Sequence, residues 1–298
     1  SLSELGEVEE AIDSYNKVIE LQPDYPEALD NLSTLVAQFK SHTLDKNTFI
    51  EKSKHSLGDG VGIRFLIVEM INYFINGDLE TAREKYHKFI DNLDEQKFSK
   101  LDPVNQVFSK AYCTMIGSLL DFHRVDLKQK KYQPVFHLGE SHCLSFAHQE
   151  IILDSAVCRV VPRIIFGAKA FHLGKKAQNK YKSLFRNHVK NIPKKSIVFL
   201  SFGEIDCREN EGILPFSEKS KDNVEDIILR TVENYIDFVA QEFALKNCNL
   251  FFLDVPPPCV PIELTKPLGK KTTKRIHLIK KFNQVLRAYV DKKKFKYI

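Results

Sequence analysis

The chain has 298 residues, 44 Lys and Arg against 39 Asp and Glu, a net charge of +5, and 43% hydrophobic and 28% charged residues. That length can bury two cores of ordinary size, but no apolar run reaches the ~18–20 residues that span a bilayer, and the start is not signal-like. The small basic excess gathers as lysines at 175–195 and 266–296, which read as solvated helix faces, so neither nucleic acid nor a membrane is expected as a partner.

The six cysteines include no C-x-x-C pair and are too sparse for a disulfide scaffold, so a reducing, cytoplasmic setting is expected. The chain opens at Ser1 already inside a helical repeat, as a piece of a longer protein would. Gly6, Ala11, Tyr15, Val18 and Pro23 follow one another at fixed offsets. Glycine ends a turn, alanine lets helices approach, the aromatic fills a groove and proline stops the helix. This spacing resembles the second helix of a tetratricopeptide (TPR) repeat, and Tyr25–Leu32 resembles the first helix of the next. Gly77, Ala82, Tyr86 and Phe89 repeat the offsets without a closing proline, and residues 103–123 supply a further apolar-periodic helix. The resemblance implies a TPR-like array over residues 1–125 whose concave face takes a protein partner. An array that merely packs on the next domain is the alternative. A polar, lysine-rich linker follows at 125–133.

From residue 133 onward, strand-like and helix-like stretches alternate. Strands are expected at 133–138, 156–161, 196–201, 249–255 and from 295, and helices at 144–153, 175–189, 223–244 and 271–290. This alternation predicts a three-layer α/β/α domain over 133–298, with a mostly parallel sheet and helices on both faces. A flavodoxin-like order 2-1-3-4-5 would set the loops after the first and third strands side by side, where open sheets bind ligands.

Those two loops carry the chemistry. Gly139-Glu140-Ser141-His142 follows the first strand and Gly203-Glu204-Ile205-Asp206-Cys207-Arg208 the third. Together they resemble the SGNH/GDSL superfamily of esterases, lipases and acyltransferases. The resemblance implies a hydrolase or acyltransferase acting on an ester or an acylated glycan, with no cofactor and no metal. Ser141 takes the nucleophile position, and Glu140 stands where the family has aspartate. Gly167 is the best match for the glycine that lends an oxyanion-hole amide. Asp206 would orient its loop or bind substrate, and Glu140, His142, Glu204 and Arg208 would line the substrate site. The family's oxyanion asparagine is replaced by Ile205, which has no donor, so Arg208 is the substitute to examine. The family's Asp-x-x-His, with the base a serine needs, is expected beyond Ile298, which makes the domain a truncated one.

Other readings compete. Ser141 could simply cap a helix start, and Asp206 and Glu204 could be caps or ion-pair partners of Arg208. Cys143, Cys207, His142 and Asp206 could meet as a zinc set, though no tight spacing supports it. His137 reads as a core histidine, His277 as a surface or packing residue, and Pro256–Pro258 as a stiff pocket wall. The competing function is a non-catalytic TPR scaffold with a decayed α/β binding crevice.

Overall fold

The computed structural model describes residues 66–67, 69–91, 103–122, 132–258 and 269–298. The TPR-like stretch at 1–40 and most of the linker lie outside them. The chain divides into two compact units, Ser1–Lys128 and Gln129–Ile298. No helix among the described residues is long and apolar enough to cross a membrane.

In the first unit, helical residues 69–75 turn through Gly77 into α1 (Leu79–Asp91). Gly77 sits at φ 78°, the left-handed conformation that the sequence offsets ask of a glycine there. Ala82 is fully buried and Phe89 nearly so. The Tyr86 ring fills the space a side chain at Gly117 would need, on α2 (Pro103–Phe122), and Arg83 donates to the Leu120 carbonyl at 2.7 Å. Small residues thus let helices close on one another and the aromatic fills the gap, as the spacing expects.

The second unit is a six-stranded sheet. Its strands are β1 (Gln133–Gly139), β2 (Glu150–Leu153), β3 (Ala156–Ile164), β4 (Ile197–Ser201), β5 (Asn249–Phe252) and β6 (Lys296–Tyr297), in the order β2-β3-β1-β4-β5-β6. All neighbours are parallel except the antiparallel β2–β3 pair. The five parallel strands therefore run in the expected order, with one added edge strand. β4 is buried along its whole length, which is why Ile197-Val198-Phe199-Leu200 reads as a continuous apolar run.

Its helices are α3 (Ala170–Gly174), α4 (Lys180–Asn191), α5 (Ile213–Ser220), α6 (Val224–Phe243) and α7 (Lys270–Lys292). α6 starts where Asn223 accepts the Glu225 amide at 2.7 Å, with Glu225 and Asp226 in the first turn against the helix dipole. Its Ile228, Val232, Tyr235, Ile236 and Val239 then form one apolar stripe. That stripe meets Phe252, Phe185 and Phe282, each fully buried and worth roughly 1.5–3 kcal/mol on leaving water.

Two expectations need correction. The stretch 144–153 is not a helix. A short 3-10 turn covers Ser141–Phe146 and the chain then enters β2. Ile151-Ile152 suits a strand, and Asp154-Ser155, at φ 47° and 66°, make the two-residue hairpin turn that forces β2 back along β3. The three-layer arrangement is likewise not found among the described residues. Every described α-helix of this unit joins the cluster on one sheet face, while Val135, Cys158, Ile197, Phe199 and Leu253 form a separate cluster on the other. The expected cover helix became the hairpin.

Gly203, just past β4, is a tight backbone constraint. It lies at φ 129°, and a Cβ would stand 2.7 Å from the Phe282 ring and 2.8 Å from Val255 Cγ2. Gly203→Ala combines backbone strain with overpacking and is expected to cost about 2–4 kcal/mol. A urea melt should show a lower midpoint with an unchanged slope, and an unaltered midpoint would contradict this packing.

Candidate active site

Three strand ends lie level with one another. Gly139 of β1 pairs in register with Ile164 of β3 and with Ser201 of β4. The loops carrying Ser141, Gly167 and Glu204 to Asp206 therefore leave one edge side by side. Gly139 is confined on both sides, since a Cβ there would meet the Ser201 carbonyl oxygen at 2.8 Å and Cys143 Cβ at 3.0 Å. The Glu140 amide donates to the Ser201 carbonyl at 3.3 Å and the Ile165 amide to the Gly139 carbonyl at 2.8 Å, which ties the three loops together.

Glu140 is buried, 1% exposed, and organises the first loop. Its Oε2 accepts the Ser141 hydroxyl at 3.1 Å and the His142 amide at 3.2 Å, and both its oxygens lie 3.0 Å from His142 Nδ1. Ser141 is half-buried at the start of the 3-10 turn. The cap of that turn is Glu140, so the reading of Ser141 as the cap is replaced by one in which Ser141 is itself held by the capping residue.

Glu204 organises the second loop. It too is buried, and it receives Arg208 Nη2 at 2.8 Å, Arg208 Nε at 2.9 Å and the Arg275 guanidinium from α7. Arg208 also binds Glu211 at 2.9 Å. Its donors are thus held on carboxylates, and the side chain is not placed to supply the oxyanion donor that the resemblance would put at position 205, where Ile205 is buried. His142 Nδ1 stands 3.9 Å from Glu204 Oε2, so the two loops meet through this imidazole. Burial alone would lower the His142 pKa. The hydrogen bond to Glu140 and the charges of Glu140 and Glu204 outweigh that burial, and Arg208 opposes them, leaving it above the ordinary 6.5.

Asp206 has a different place. Its side chain is fully buried, and its two oxygens accept the amides of Ala170 at 2.8 Å and Phe171 at 3.1 Å, at the start of α3. It braces the segment after Gly167 against the β4 loop. Burial pushes its carboxyl up to about 6 against the pull of these amides. Gly167 lies in a left-handed turn at φ 67°, and neither its amide nor that of Ser141 has a backbone acceptor among the described residues.

The cysteine-based zinc set does not assemble. Asp206 is turned onto backbone amides, and Cys143 and Cys207 are buried thiols pushed well above their ordinary pKa by that burial. The group with metal-ligand geometry is instead Glu140, His142 and Glu204, whose donor atoms lie within 4.8 Å of one another. The sequence reading missed that grouping, although all three residues stood in the two loops it singled out. Two guanidiniums already occupy Glu204, and a divalent cation would have to displace them. His137 bonds Ser201 Oγ at 2.9 Å through Nε2, while Nδ1 has no partner among the described residues; burial lowers its pKa to about 3, so it stays neutral. His277 is exposed, so of its two readings the surface one holds. Arg275, a contributor sequence reasoning missed, lies in the lysine-rich helix start whose charge read as solvated surface.

A model of the TPR repeat matches residues 2–34. No curated protein and no solved structure matches the chain, and no comparison supports the SGNH/GDSL resemblance. TPR repeats generally mediate protein–protein interaction, and the match suggests such a role for the repeat at 2–34.

Asp206 protonates near pH 6 in the folded chain and near its ordinary 3.8 when unfolded. Between these values the folded state holds the extra proton, so the stability this group contributes falls as pH rises through the window and returns on acidification. Relative to Asp206→Asn, which cannot titrate, the wild type should gain stability from about pH 7.5 to about pH 4.5 in denaturant melts. An equal difference at both pH values would contradict the assignment. Asp206→Ala should cost about 2–4 kcal/mol by orphaning two buried amides.

Proposed function

We propose that the chain joins a TPR-type protein-interaction unit to a serine-dependent ester hydrolase or acyltransferase. The observation that carries the catalytic part is the shared edge. Ser141, half-exposed at the end of β1, stands beside the β4 loop and the Gly167 turn, where a nucleophile and amide donors would have to converge. In this reading Ser141 Oγ attacks an ester carbonyl, the amides of Ser141 and Gly167 receive the developing oxyanion, and Glu140 holds the hydroxyl in place. Asp206 acts as a positioning residue through the α3 amides, and Glu204 with its arginines forms the polar wall. The base for Ser141 is the one the resemblance places after β6. The substrate class is an ester or O-acyl group, an acylated glycan among them, and the helical unit would bring the enzyme to a protein partner.

A second reading is favoured by one observation. Ile205 and the carboxylate-bound Arg208 leave the oxyanion without a side-chain donor, a loss worth ~10²–10³ in rate in comparable enzymes. On that view the crevice binds an acylated ligand without turning it over, and the chain is a scaffold.

Hydrolysis of a short-chain aryl ester by the full-length protein separates the two. Ser141→Ala should abolish turnover while leaving the thermal melt in place. Turnover equal to that of the wild type, or no turnover by the wild type, would remove the catalytic reading.

A further inference from the structure

Resting on the serine reading, we infer that His142, oriented by Glu140, is the general base for the second reactant, the water or alcohol that takes the acyl group from Ser141. A carboxylate only accepts hydrogen bonds, and both Glu140 oxygens lie 3.0 Å from His142 Nδ1. Nδ1 therefore carries the proton, and in the neutral ring Nε2 presents a bare lone pair. The His142 side chain is 38% exposed while Glu140 is 1% exposed, and Nδ1 is the nitrogen held on that buried carboxylate. The Ser141 hydroxyl is turned onto Glu140 Oε2, the same atom that faces Nδ1, so the serine and the imidazole share one anchor. His142 is thus placed beside the serine without accepting its proton. That is the position a base needs to act on what approaches the acyl group from solvent.

The step balances without a co-reactant. Water attacks the acyl carbonyl carbon on Ser141 while His142 Nε2 takes one of its protons. The tetrahedral intermediate collapses, the carbon–oxygen bond to Ser141 breaks, and the serine oxygen takes a proton from solvent while Nε2 gives its own to solvent. The acid leaves, and the serine and the neutral imidazole are restored. With an alcohol in place of water the same sequence transfers the acyl group.

The charged and titratable groups facing His142 are Glu140 from the β1 end and Glu204 and Arg208 from the β4 loop, with Arg275 from α7 reaching it through Glu204. The carboxylates favour the imidazolium, so the neutral base forms at higher pH than for an ordinary histidine, and deacylation should rise as it forms.

The test is stopped-flow and steady-state hydrolysis of a p-nitrophenyl ester by the full-length protein across pH. His142→Gln should release about one nitrophenolate per chain in a burst and then turn over ~10²–10⁴-fold more slowly, a general-base loss. The acyl group should be found on Ser141 by mass spectrometry, and the pH limb should vanish. His142→Asn, smaller and able to donate to Glu140, should behave alike and guards against misfolding of the first variant. Unchanged turnover and an unchanged pH limb in a folded variant, with Ser141→Ala inactive, would overturn the role of His142 and leave the serine standing. Full activity in Ser141→Ala would remove both.

Discussion

A carboxylate buried at a sheet edge must find donors or lose its charge, and this unit places two of them there. Glu140 and Glu204 end neighbouring strands, and each is almost wholly out of water. Glu204 takes its donors from two different elements, Arg208 four residues along its own loop and Arg275 from α7. Each ion pair therefore fixes where a loop or helix sits. Removing one partner would leave a buried charge, which costs far more than the pair contributes. The two loops are held by this requirement as much as by the apolar core beneath them.

The parallel register is the other half of the constraint. β1 lies between β3 and β4, so its last residue is level with both neighbours. No helix covers the β1–β3 connection on the way, because the hairpin of β2 and β3 occupies the chain between them. The three loops stay short and are cross-linked by backbone bonds and by the Asp206 carboxylate. Loop positions fixed in this way limit how far Ser141 and Gly167 can move apart.

Strand positions and the identity of the two loops were legible because buried parallel strands are apolar runs that break at glycine, whereas strand order rested on the choice of a flavodoxin-like arrangement. Ile197 to Leu200 carries that signal without interruption, and Val135 to Leu138 carries it with one histidine inside. The hairpin was not legible, because Leu144, Ala147, Ile151 and Ile152 also satisfy a helical spacing. Only the left-handed turn at Asp154-Ser155 decides between the two, and neither residue announces it as Asn-Gly would. The site was legible in its residues but not in their bonds. Asp206 and Glu204 are two positions apart in one loop, yet one faces backbone amides and the other guanidiniums, and a 3-10 turn rather than sequence distance separates them. Arg275 could not be read at all, since a lysine-rich helix start gives no sign of which cation turns inward.

Charge placement across the crevice is unequal, and that inequality bears on its chemistry. Among the described residues the guanidiniums pair with the β4-side carboxylates Glu204 and Glu211, while Glu140 is bonded by the Ser141 hydroxyl, the His142 amide and His142 Nδ1. A buried carboxylate with only neutral donors stabilises a positive charge arriving beside it more than one already paired does. His142 is where that charge can arrive. A proton passed to the imidazole would form its cation against Glu140, a carboxylate with no guanidinium partner among the described residues, which favours the protonated ring.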